Sequence, residues 1–98
     1  MFMSITDTIL EEFKERMHLG DHEDENLRRI LSASNADLKR ICGAYDINID
    51  EVFKELVFER SRYVYNDALE FFNNNFLSQI YSLALEKALK EGDSSETI

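Results

Sequence analysis

The sequence predicts an all-α fold, and three features carry that prediction. Proline is absent, so no residue removes a backbone N–H or forces a kink, and the three glycines fall where helix-like runs should stop. Apolar residues recur at three- and four-residue steps through most of the chain, the spacing that places side chains on one helix face. The longest such run, Asp50 to about Asn74, is long enough to serve as a rod. The expectation is a small bundle of about four helices packed around one long central helix at about residues 50–74.

In chain order, residues 1–5 read as a flexible arm. Thr6 or Asp7 can cap a first helix running to about Leu19, with Ile9, Leu10, Phe13 and Met17 on its buried face and Gly20 as its terminator. Glu12 and Arg16 stand four apart in the order that favours an exposed ion pair. Asp21 to Glu25 form an acidic turn in which Asp21 or Asp24 can cap a second helix, about Asp24 to Cys42. Leu27, Ile30, Leu31, Leu38 and Ile41 point inward, and Asp24–Arg28 and Glu25–Arg29 are further four-residue pairs. The small stretch Ser32 to Ala36 either bends this helix or lets another backbone approach closely.

Gly43 ends the second helix. Residues 44–49 alternate, with Tyr45, Ile47 and Ile49 on one side, so this connector is expected to run extended, tuck its apolar side over the core, and offer an edge to a neighbouring subunit. The rod follows, capped by Asp50. One row holds Phe53, Leu56, Val57, Arg60, Val64, Asp67, Ala68 and Phe71; a second holds Val52, Tyr63, Leu69 and Phe72. Two rows make a stripe wider than a surface helix needs, and Asn73 to Asn75 compete with the helix and stop it. Asn75 can cap a last helix, Phe76 to about Glu91, closed by Gly92 and followed by a flexible tail over residues 92–98.

That last helix is apolar on two sides. Phe76, Ile80, Leu83 and Ala84 mark one; Leu77, Tyr81, Leu85, Ala88 and Leu89 mark the other. A domain of this size has little chain to cover both, so one side is expected to meet another molecule.

Ninety-eight residues make one domain, residues 1–98, with a single modest core, and an apolar content of 44% suits a folded chain. Twenty acidic against eleven basic residues give a formal charge of -9, which repels nucleic acid and anionic membrane alike. No basic run precedes an apolar stretch at the start, and no stretch approaches the roughly 20 apolar residues of a membrane span, so a soluble, intracellularly made protein is expected. A lone cysteine, Cys42, cannot form an internal disulfide.

Catalytic signals are lacking: there is no glycine-rich phosphate loop, and no histidine at helical spacing from Cys42, which reads as packing. His18 and His22 beside carboxylates resemble metal ligands, but a solvated capping turn explains them better. A calcium loop counted from Asp21 lacks its sixth-position glycine and twelfth-position glutamate, so no ion and no cofactor is expected. Arg60, Arg62, Tyr63 and Tyr65 interleave as in single-strand binders, yet they sit amid glutamates, and Arg60 is expected to pair with a carboxylate.

The segment LVFERSRYVYNDALEFFNNNFLSQI resembles the corresponding region of tailed-phage head-to-tail connector (adaptor) proteins, and HEDENLRRILSASNADLKRICG resembles that family's acidic turn and helix. The likeness spans roughly residues 9–90. Its most specific part is Glu59 to Asn66, followed by Phe72 and then Asn75-Phe76. It implies a non-enzymatic protein, made in the host cytoplasm and built into the virion at the head–tail interface. Such a protein assembles as a ring, commonly a dodecamer, beneath the portal protein, extends the DNA channel without sequence-specific contact, and docks a downstream head-completion or tail protein. Head-to-tail contacts in a ring need two complementary patches. Tyr63, Tyr65, Leu77, Tyr81, Leu85 and Leu89 are the expected interface residues. The competing reading of the same charge is an acidic inhibitor or DNA mimic that captures a basic host protein.

Overall fold

A computed structural model gives the backbone of residues 5–96 and the side chains of residues 5–91. All regular structure among the described residues is helical: α1 (Asp7–Met17), α2 (Asp24–Cys42), α3 (Glu51–Tyr65), a 3-10 turn (Leu69–Phe71), α4 (Phe72–Asn75) and α5 (Leu77–Glu96).

Thr6 caps α1: its backbone is extended, and its Oγ1 accepts a hydrogen bond from the Ile9 amide at 3.2 Å. The helix closes before Gly20, the expected terminator. His18 takes the left-handed conformation at φ 59°, and the Leu19 amide reaches back to the Lys14 carbonyl at 2.9 Å while the His18 amide reaches Glu15. Ile5, expected in a loose arm, is buried with Ile9, Leu10 and Phe13, and its carbonyl accepts from Arg28 Nη1 at 2.8 Å. The rest of the expected arm, residues 1–4, lies outside the described residues.

α2 has the expected bounds, although Glu23 rather than Asp21 or Asp24 occupies its cap position, without a capping side-chain bond. It packs against α1, α3 and α5, burying Leu27, Leu31, Leu38 and Cys42. The small stretch admits a neighbour. Ser34 and Asn35 are buried, Ser61 of α3 is buried as well, and Arg60 Nη1 donates to Ser34 Oγ at 3.0 Å while its Nε lies 3.4 Å from Asp37 Oδ2. Arg60 thus finds its carboxylate inside the fold.

Two of the three expected local ion pairs, Glu12–Arg16 and Asp24–Arg28, give way to longer-range ones, and the Glu25–Arg29 pair does not form. Arg16 turns from Glu12 to Glu55 and Glu59 of α3, Lys54 takes Glu12 at 2.8 Å, and Arg28 takes Asp7 at 2.6 Å rather than Asp24. Each choice links two elements where the four-residue pairing would have stayed within one helix.

The connector folds into a turn instead of running extended. Tyr45 and Ile47 are buried as expected, but Ile49 is exposed. Asp46 Oδ1 accepts from the Asn48 amide at 2.9 Å, and Asp50 Oδ2 accepts from the Asp46 amide at 2.7 Å, so Asp50 braces the turn with the side chain expected to cap α3.

The long rod is absent: α3 ends at Tyr65, well short of residue 74. Asp67 adopts φ 58°, the Ala68 amide donates to the Tyr63 carbonyl at 2.8 Å, and the Asp67 amide donates to Val64 at 3.1 Å, which is the Schellman closure with aspartate in the position usually held by glycine. Beyond this break the expected face no longer holds. Asp67 and Phe71 are exposed, as is Val52 near the start of α3, whereas Phe58 and Ser61 are buried. Phe72 is buried, stacked on Phe76 with centroids 5.0 Å apart, and Tyr63 meets both rings edge-on at 5.7 Å. Asn73 to Asn75 are helical, and Phe76 rather than Asn75 opens α5, its carbonyl accepting from the Ile80 amide at 3.0 Å. α5 runs through Gly92 to Glu96, so neither the glycine stop nor the start of a loose tail falls where expected; residues 97–98 lie outside the described residues.

Gly43 does end α2. At φ 114° and ψ −178° it occupies a region that side-chain-bearing residues avoid, and a Cβ there would stand 2.7 Å from Lys87 Cγ. Gly43→Ala is therefore expected to destabilise the fold by about 1–3 kcal/mol. Gly20→Ala, at a position with no such backbone demand, should stay within about 0.5 kcal/mol; urea denaturation of both variants checks the contrast.

Candidate interaction surface

α5 is seated by one side. Ile80 and Leu83 are buried, the Tyr45 hydroxyl donates to the Leu83 carbonyl at 2.8 Å, and Cys42 Sγ lies 3.8 Å from the Ile80 carbonyl. Tyr45 in turn stacks on Phe53 at 5.4 Å and carries Lys87 Nζ over its ring at 4.3 Å. Burial pushes both the Tyr45 hydroxyl and the Cys42 thiol up in pKa, so Tyr45 keeps the proton it donates to α5.

The other side is bare. Leu77, Tyr81, Leu85 and Leu89 are 42%, 64%, 60% and 59% exposed. Their four-residue spacing makes one continuous stripe, bordered by Ser78, Ser82 and Ala88, with no charged side chain along it from Leu77 to Leu89. In a chain with 31 charged residues, 20 acidic and 11 basic, an uncharged face of this length is conspicuous. Ala88, Leu89, Lys90 and Glu91 are all exposed.

Tyr63 and Tyr65 do not join this stripe. Tyr63 is half-buried against Phe72 and Phe76, its hydroxyl accepts from Asn75 Nδ2 at 2.9 Å, and Arg62 lies 5.1 Å from its ring centre. The half-buried Tyr65 donates to Glu23 Oε2 at 2.7 Å, a bond to a carboxylate that raises its pKa. Both tyrosines tie α3 to neighbouring segments of the same chain. Periodicity gave no warning that Ile49 and Phe71 would be exposed, because the turns that expose them depend on local bonds that periodicity does not report; Val52, in the first turn of α3, is exposed as well.

Neither histidine belongs to a ligand cluster among the described residues. The carboxylates that converge are Glu11, Asp21 and Asp24, and their cation is Lys14, buried with its Nζ 3.1, 2.6 and 2.9 Å from them. The hydrogen bond that Lys14 donates to Asp21 is the foremost cause that raises the Lys14 pKa, and the same bond holds Asp21 below the usual carboxylate range. This arrangement fastens the acidic turn and the start of α2 onto α1. Sequence reading passed over Lys14, although it follows Leu10 by four residues and the acidic turn beside it needs a counter-charge.

No protein-family model matches the chain, and comparison with curated proteins and with solved structures gives no match either. No helix among the described residues is long and apolar enough to cross a membrane.

Lys14→Met should lower the urea midpoint. The depressed Asp21 pKa stabilises fully above the unfolded carboxylate value of about 3.9 and fades as pH falls through the folded value. The raised Lys14 pKa stabilises fully below about 10.4 and is lost as pH rises through the folded value. The gap between parent and variant is thus expected to be widest between these limits and to narrow below about pH 4, as denaturation series across pH will record.

Proposed function

We propose that the protein is a non-enzymatic connector of a tailed-phage virion, made in the host cytoplasm. It would assemble as a ring, in the manner of a dodecamer, on the portal protein, extend the DNA channel, and present a docking surface to the next head-completion or tail protein. The observation that carries this reading is the uncharged apolar stripe of α5, seated on the body by one side and uncovered on the other. A single copy leaves Leu77, Tyr81, Leu85 and Leu89 in water, and burying apolar area of this kind stabilises association by about 25 cal/mol per Å² before the entropy cost of joining. The resemblance of residues 59–66 to connector proteins supplies the class of partner. The charge of -9 fits a channel wall along which DNA slides without adhering.

The experiment is sedimentation of the purified protein with portal-bearing phage heads. Co-sedimentation of the parent is expected, and Leu85→Glu should weaken it at least tenfold while shifting folding stability by no more than about 0.5 kcal/mol, since the position is exposed. A correctly folded parent that stays in the supernatant overturns the proposal. Salt-sensitive binding of a monomer to a basic DNA-binding protein would instead favour the inhibitor or DNA-mimic reading of the same charge.

A further inference from the structure

The stripe needs a complementary surface, and the chain carries one. Between α3 and the start of α5 lies a groove lined by Val52, Glu55, Leu56, Glu59, Phe76 and Gln79, enclosing about 180 Å³. That is comparable to the ~150 Å³ apolar cavities that take up a benzene molecule, so a tyrosine ring or a leucine side chain fits. Val52 stands 64% exposed at its edge.

The position of this groove decides the geometry. Gln79 lines it, and Leu83, Glu86 and Lys90 continue the same side of α5 along α3. With 3.6 residues per turn, about 100° per residue, that side lies nearly opposite the line of Leu77, Tyr81 and Leu85. The two apolar surfaces therefore face away from each other across one helix. A two-fold pairing of α5 with α5 would cover the stripe and leave the groove and Val52 open in both copies. A head-to-tail contact covers stripe and groove together and leaves each new copy able to repeat it.

Electrostatics permits this contact despite the charge of -9. The stripe itself brings no charge. Of the two carboxylates in the groove, Glu55 is bound by Arg16, and Glu59 is bound by Arg62 at 2.6 Å and by Arg16 at 3.5 Å. Docking an uncharged helix face against carboxylates that already hold guanidinium partners avoids the repulsion that most other pairings of these acidic surfaces would meet.

We propose that the occupant of the groove is a second copy of this chain, with Tyr81 and Leu85 of one subunit inserted beside Val52, Leu56 and Phe76 of the next. This pairing rests on the connector reading and gives it two defined, unlike surfaces per subunit.

Two exposed-site variants test it, Leu85→Glu in the stripe and Val52→Glu in the groove, each verified as folded by circular dichroism and examined by analytical ultracentrifugation. The parent should form species larger than dimers as concentration rises. Neither variant should self-associate alone, and an equimolar mixture should give heterodimers that grow no further, because it contains one intact stripe and one intact groove. Self-association of Val52→Glu alone at the parent's level overturns the pairing in favour of a two-fold α5 contact; self-association of Leu85→Glu alone overturns it as well. Should the parent stay monomeric in solution, Leu85→Cys and Val52→Cys subunits are mixed on portal-bearing heads, with native Cys42 buried away from exchange. An intersubunit disulfide between them supports the pairing and its absence overturns it. Retention on heads without that disulfide removes the pairing and leaves the connector reading; heterodimers without retention on heads do the reverse.

Discussion

α5 is apolar on two sides, and the rest of the chain has enough surface to cover one of them. Ile80 and Leu83 take the covered side, held by α2, by the Tyr45 hydroxyl on the Leu83 carbonyl, and by the Gly43 turn, where any side chain would collide with Lys87. Small domains bury a lower fraction of their surface than large ones. Here Leu77, Tyr81, Leu85 and Leu89 share one uncharged stripe of a single helix, while the other large apolar side chains left exposed, Ile49, Val52, Leu69 and Phe71, lie on the turns and on α3.

The body that seats α5 is organised around α2, with α3 as its principal neighbour. Close approach of the two is made possible by Ser34 and Ser61, both fully buried, and is made specific by Arg60, which spans to Ser34 and Asp37. α1 is then held by Ile5, Ile9, Leu10 and Phe13 in the core and by a rim of cations that each reach another segment: Lys14 to the acidic turn and α2, Arg16 to α3, Arg28 back to Asp7. Lys14, Arg16, Arg28, Lys54 and Arg60 thus join segments of a strongly acidic chain, whereas Arg40, Arg62 and Lys90 pair within their own helices. Lys14 is the clearest case, a buried ammonium placed where three carboxylates would otherwise repel one another.

Much of this was legible in the sequence, and the failures share a cause. The Thr6 cap, the bounds of α2, the stop at Gly43 and the two-sided character of α5 follow from local chemistry that few tertiary contacts can override. The expected rod failed because Asn66-Asp67 can take a left-handed turn at little cost, and a Schellman closure there outweighs continuation of an apolar period that the Phe71 side chain ends by exposing. Gly20 failed as a terminator for the same reason, since His18 reached the left-handed position first. Ion pairs were misassigned because spacing along one helix says nothing about partners brought from another. Of the six expected interface residues, the four on α5 form one exposed line, while Tyr63 and Tyr65 were drawn inward by an aromatic cluster and by Glu23.

In the proposed connector these features have one joint consequence: the face left uncovered in a single copy is the uncharged one, so an acidic protein can meet its own kind and a portal there while the charged remainder faces solvent or a DNA channel. The most direct measurement is hydroxyl-radical footprinting of Tyr81, Leu85 and Leu89 in the free protein and in the assembled virion. Strong protection of all three on assembly, with Ser78 and Ser82 shielded beside them and Asp46 to Asn48 unchanged, is the predicted result. Equal reactivity of the three side chains in both states would contradict the claim that other subunits cover this face.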